Sequence, residues 1–257
     1  MLIDLHVHGH NTRGCTLAPR DVLRRAKEAG LDGVAFTDLN TLDGVEEHRA
    51  AGREVGILAL TGVEIATDRG HYLCFFPDPA KVPPPPQIFG SATPWPVREV
   101  LQKVLDLGGV VVAAHPYDKT IERPSGDFIF TLDGLSAIEG LNARRKPAAN
   151  DLAVEAADHL NLPCVAGSDA HASLDEIGKA ATLFRDPVTS EADVVAQIRA
   201  ATVYSVAIGV EPGPAEPSDR GDRRPPRDRQ DRGERRGGPG GGRGGDRRGG
   251  RGPRRPR

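Results

Sequence analysis

The chain has 257 residues and a formal charge of −2, a sum that joins two opposed parts. Residues 211–257 carry 15 Arg against 8 acidic side chains, whereas residues 1–210 carry 19 basic against 28 acidic ones. Cys15, Cys74 and Cys164 make no disulfide framework, no run approaches the roughly 20 apolar residues of a membrane helix, and Leu2-Ile3-Asp4-Leu5-His6 has no leader character. The expectation is a soluble cytoplasmic protein with no membrane partner.

In chain order, short apolar runs alternate with longer amphipathic ones. Strands are predicted at 2–7, 33–37, 57–60, 71–76, 110–114, 137–141, 163–166 and 203–206. Helices are predicted at 19–29, 42–53, 96–107, 147–160 and 191–200, with Pro19 and Pro147 at two starts and Gly30 and Gly56 just past two ends. This alternation is the mark of an α/β domain around a mostly parallel sheet, open or closed. The segment 76–96, with Pro83-Pro84-Pro85-Pro86, cannot be a core strand and reads as a surface excursion. Beyond Glu211 the chain has 13 Gly, 8 Pro and one aliphatic side chain, Ala215, so the domain is expected over 1–210 and a disordered tail over 211–257.

In α/β units ligands gather at the carboxyl ends of strands. Those ends repeat one theme: Asp4-Leu5-His6-Val7-His8, Thr37-Asp38, Gly62-Val63-Glu64, Ala114-His115-Pro116 and Gly167-Ser168-Asp169-Ala170-His171. His6 and His8, two apart on an extended strand, share a face. His71 opens the strand after Glu64. Imidazoles and carboxylates without thiolates suit zinc, manganese or iron(II). His48, within Glu46-Glu47-His48-Arg49, and His159 lie among polar helix residues and are expected at the surface, not as ligands.

These motifs, together with Ile138-Glu139-Gly140-Leu141-Asn142, resemble the polymerase and histidinol phosphatase (PHP) domain of metal-dependent phosphoesterases, over residues 1–208. The resemblance implies a distorted (β/α)7 barrel with a metal site at its carboxyl-terminal mouth. It places His6, His8, Glu64 and Asp169 on one ion. Glu64 would bridge to a second ion held also by His71 and His115. The third ion of the family is where the chain departs: Gly14 and Leu39 stand at two usual ligand positions, leaving His171. A two-ion centre is expected, or three if His10, Asp38 or Cys15 substitutes. Two divalent ions about 3.5–4 Å apart suffice to generate a hydroxide for in-line attack on phosphorus.

His171, freed of a metal, is expected to act as general acid, with Asp38 among the catalytic groups. Arg144 and Asn142 are expected to contact the substrate phosphate, with Arg145, Lys146, Arg13 and Lys119 nearby in sequence. Trp95 could stack on a base or pack the excursion. The resemblance implies hydrolysis of a phosphomonoester or nucleic-acid phosphodiester, of the nucleoside 3′,5′-bisphosphate phosphatase or 5′→3′ exonuclease type. A histidinol-phosphatase-like activity is an alternative. So is a degenerate, non-catalytic domain that binds RNA or DNA through Arg-Gly-Gly segments of the tail.

Overall fold

β1 (Leu2–Val7) is buried along nearly its whole length and lies at the centre of the first sheet. The computed structural model describes residues 1–209, so the expected tail over 211–257 lies outside the described residues. Around β1 run β2 (Gly33–Phe36), β3 (Leu58–Thr61), β9 (Ala180–Phe184) and β10 (Val203–Ala207), in the order β10-β9-β1-β2-β3. A second sheet has the order β4-β5-β6-β7-β8, from β4 (Val63–Thr67), β5 (Gly70–Phe75), β6 (Val110–Ala114), β7 (Ala137–Asn142) and β8 (Cys164–Gly167). β1-β2-β3 and β6-β7-β8 are parallel; β9 and β10, and the hairpin β4-β5 with its neighbour β6, run antiparallel. The mostly parallel expectation therefore holds for the crossover units and fails at β9-β10 and around the β4-β5 hairpin.

The ladders form two five-stranded sheets that meet at two seams. At one seam Val7 bridges Ala170, and Asp169 N–H donates to the His6 carbonyl at 2.7 Å. A Cβ on Gly167 would lie 2.4 Å from that of His6, so only glycine permits this approach of β8 to β1. At the other, Leu39 bridges Glu64 and Asn40 N–H donates to the Glu64 carbonyl at 2.7 Å. Gly62, between β3 and β4, passes so close to the Phe75 ring that a Cβ would meet it at 2.6 Å.

The helices cover the outside: α1 (Pro19–Glu28), α2 (Val45–Val55), the short α3 (Pro85–Phe89), α4 (Val97–Asp106), α5 (Pro147–Leu160) and α6 (Glu191–Arg199). Each of the longer ones buries an apolar stripe, such as Val97, Val100, Leu101 and Val104 of α4. α2 begins after Gly44, three residues later than expected, because Gly44 takes a left-handed conformation. β4, β9 and α3 were not predicted. Trp95 is 2% exposed and donates its indole N–H to the Gly90 carbonyl, which makes it the plug of the proline-rich excursion rather than a base platform. Among the described residues no helix is long and apolar enough to cross a membrane.

Candidate metal centre

Both seams deliver polar side chains to one place. β1 ends in His6 and His8, β4 carries Glu64, β5 carries His71, and His115 and Asp169 follow β6 and β8. Glu64 Oε1 lies 2.9 Å from His71 Nδ1, 3.1 Å from His115 Nε2 and 3.6 Å from His6 Nε2, while Oε2 lies 3.4 Å from His8 Nε2. Asp169 Oδ1 is 3.6 Å from His8 Nε2 and 3.8 Å from His6 Nε2. Two sets, His6-Glu64-His115 and His6-His8-Asp169, have ligand atoms close enough to share a cation. The structure thus brings together all six residues expected as ligands.

Two of these residues sit in strained backbone. His115 and Asp169 have positive φ, 29° and 56°, which costs energy for a residue with a side chain. Hydrogen bonds hold both: Glu139 Oε2 accepts the His115 N–H at 2.7 Å, and the His6 carbonyl accepts that of Asp169.

The donor set fits divalent cations. His6 Nδ1 is engaged by Glu139 Oε1 at 2.8 Å, which leaves Nε2 fully buried, without a hydrogen-bond partner and aimed at Glu64 and Asp169. A carboxylate on the outer nitrogen is the usual way a ligand imidazole is oriented. The charges agree. Burial opposes ionisation here, yet the surrounding imidazoles, His6 foremost, hold Glu64 and Asp169 well below the ordinary carboxylate range. Burial likewise opposes a proton on His6, but Glu139, Asp169 and Glu64 keep its pKa well above the usual value. Ionised carboxylates around buried imidazoles favour positive charge in the pocket, and a metal ion competes with protons for the same lone pairs.

Other expected residues are placed differently. Asp38 does not line the pocket: its Oδ1 accepts from Gly9 N, Thr12 N and Thr12 Oγ1 at 2.7, 3.1 and 2.7 Å, so it anchors the 9–12 loop instead of meeting substrate. Asn142 is fully buried, and its amide nitrogen donates to Glu139 Oε2 and Asp169 Oδ2, which spends the donor a phosphate would need. His10 turns outward to Glu47 at 3.0 Å, and Cys15 Sγ faces the His8 carbonyl, so neither fills the position beside Gly14 and Leu39.

His171 and Arg13 stand on the rim of the pocket, which is about 270 Å³. The Asp169 hydrogen bond raises the His171 pKa against burial and the Arg144 guanidinium, whose Nη1 lies 2.6 Å from His171 Nε2. Arg144 and Lys119 line a neighbouring cleft, of about 350 Å³. Arg145 forms the wall between the two, with Nη2 2.5 Å from Asp169 Oδ2 and Nη1 2.7 Å from Asp118 Oδ2.

Sequence reasoning missed Glu139, Asp118 and Thr12. Glu139 carried a signal, a lone carboxylate inside the apolar strand 137–142. His48 corrects the surface expectation: it is 1% exposed, stacked on Phe36 with centroids 4.1 Å apart, and its Nδ1 pairs with Thr61 Oγ1. His159 is exposed, as expected.

A family model described as the PHP domain matches residues 4–122, and one described as PHP-associated matches residues 147–203. An uncharacterized protein of Methanocaldococcus jannaschii is 34% identical over 137 residues, which span 53% of this chain and 73% of the relative. A 5′-3′ exoribonuclease of Haemophilus influenzae is 40% identical over 65 residues, 25% of this chain and 23% of that enzyme. The crystal structure of a protein from Bifidobacterium adolescentis assigned as a metal-dependent phosphoesterase superposes with a TM-score of 0.57 at 23% identity. It covers 77% of this chain and 96% of the other, and supports the fold alone.

Proposed function

The chain belongs to the PHP domain family, and from that premise we propose that it is a metal-dependent phosphoesterase. It is a hydrolase acting on a phosphomonoester or on the terminal phosphodiester of a short oligonucleotide, on the distorted barrel that the family implies. One observation carries the reading: both oxygens of Glu64 face imidazoles, four of them within 3.6 Å, in a buried pocket open at one rim. A folded core has no use for such convergence, and a cation-binding centre requires it.

His6, His8, Glu64 and Asp169 would hold one ion, and Glu64, His71 and His115 a second; zinc, manganese and iron(II) all suit these donors. When bound, such ions supply Lewis acidity for activating water and charge to balance a phosphoryl group. The chain does the rest. Glu139 orients His6 and holds the His115 backbone. His171, half exposed on the rim with its pKa raised, is placed to give a proton to the leaving oxygen. Arg145, and Arg13 at the mouth, supply guanidinium groups to a phosphate, with Arg144 beside His171.

The nucleotide direction rests on similarity to the exoribonuclease and on the arginine-rich composition of 211–257. The test is metal content of the purified full chain, measured beside hydrolysis of p-nitrophenyl phosphate, a nucleoside 3′,5′-bisphosphate and a 5′-phosphorylated oligonucleotide. Retained metal with turnover, both lost in His6→Ala, is the expected result. A metal-free, inert protein that still binds RNA would replace the hydrolase with a non-catalytic domain.

A further inference from the structure

Thr12 received no role from the sequence, yet its hydroxyl has every hydrogen-bonding capacity assigned. Its Oγ1 lies 2.7 Å from Asp38 Oδ1, 2.9 Å from Leu39 N and 3.0 Å from His8 Nδ1. Asp38 Oδ1 already accepts the N–H groups of Gly9 and Thr12, so it carries no proton and the Thr12 hydroxyl must donate to it. The Leu39 N–H can only donate, and takes one Thr12 lone pair. A hydroxyl has one proton and two lone pairs. The remaining lone pair faces His8 Nδ1, which must therefore bear the hydrogen.

We propose that Thr12 is a positioning residue that fixes His8 in the Nδ1–H tautomer and so aims the Nε2 lone pair at the cation site beside Glu64 and Asp169. Thr12 and Asp38 thus do for His8 what Glu139 does for His6. Leu39, whose side chain offers no ligand, contributes its backbone N–H to the same device. The departure of this chain from the family pattern at position 39 leaves the support of His8 intact. The inference rests on His8 being a ligand, which the proposed function requires, whereas the hydrogen on Nδ1 follows from the hydroxyl geometry without any metal.

The experiment compares the full-length chain with Thr12→Val and Thr12→Ser. Zinc affinity is read by competition with a chelator, and the His8 ring nitrogens of the metal-free proteins by ¹⁵N NMR at pH 8. The wild type is expected to show a hydrogen on His8 Nδ1. Thr12→Val, which keeps the shape and removes the hydroxyl, is expected to mix tautomers and to lose about 10–100-fold in zinc affinity, the usual scale for such outer partners. Thr12→Ser restores both. A wild-type His8 with a bare Nδ1 overturns the inference even if Thr12→Val does not fold. Unchanged zinc affinity in a folded Thr12→Val overturns it too. A wild type that shows the Nδ1–H form but holds no zinc bears out the tautomer and sinks the metal reading instead.

Discussion

Two buried clusters of imidazole and carboxylate lie side by side in this protein and behave oppositely. Around Glu64, four imidazoles meet Glu64, Asp169 and Glu139, and the carboxylates drive the His6 pKa up despite complete burial. Behind the 9–12 loop, His48 has one carboxylate within 4 Å, Asp38 at 3.8 Å, and lies flat on Phe36; burial dominates over the pull of Asp38 and Glu47 and pushes its pKa down to about 4. The first set converges lone pairs on a pocket and calls for a cation. The second keeps its imidazole neutral and serves packing. Residue type does not separate them; the number of carboxylates facing each ring does.

The comparison breaks if either cluster behaves like the other. Glu64→Gln removes the negative charge that all four imidazoles face and replaces one of its two accepting oxygens with a donor. It is expected to lose bound metal and to cut turnover by more than about 100-fold, beyond the range that outer partners give. Metal analysis of the folded variant checks this, and undiminished metal content would put the centre elsewhere. Glu139→Gln keeps the pocket and weakens the support of His6 and His115, together with the Asn142 contact. A loss of about 10–100-fold in metal affinity is expected by chelator competition, with less effect on the fold.

His48→Gln sharpens the contrast from the other side, since metal content should not change. Because the folded His48 pKa lies below the ordinary 6.5, the unfolded chain takes up a proton first as pH falls. Its contribution is constant above pH 6.5 and declines from there to about pH 4, by up to ~3 kcal/mol. Denaturant titrations at pH 7 and pH 4.5 should show wild type losing more stability than His48→Gln. Equal losses would mean that His48 is solvated in the folded protein.

The strand-end imidazoles and carboxylates were legible because strand alternation is a strict period: His6 and His8 must share a face, and each strand end announces its own residue. The supporting groups were not. Glu46-Glu47-His48-Arg49 has the pattern of a solvated helix face, and only the approach of Phe36 and Thr61 buries one of its members. Asp38 and Asn142 are the residue types that touch substrates, and both are turned inward by hydrogen bonds to residues 3 to 29 positions away. β4 was missed because a five-residue strand opening two residues after β3 looks like its continuation, and the bend at Gly62 depends on the Phe75 ring.

The sequence by itself determined the α/β alternation and the imidazoles and carboxylates at the strand ends, because these follow from local periodicity and residue chemistry. The grouping into six prospective ligands and the departures at Gly14 and Leu39 came from the family resemblance. Only the tertiary structure decided that the strands part into two sheets, that Glu139 and Thr12 stand behind His6 and His8, and that Arg145 rather than Asn142 reaches the pocket wall. Those facts depend on which distant backbones approach closely enough to exchange hydrogen bonds, and a one-dimensional pattern holds no measure of that distance.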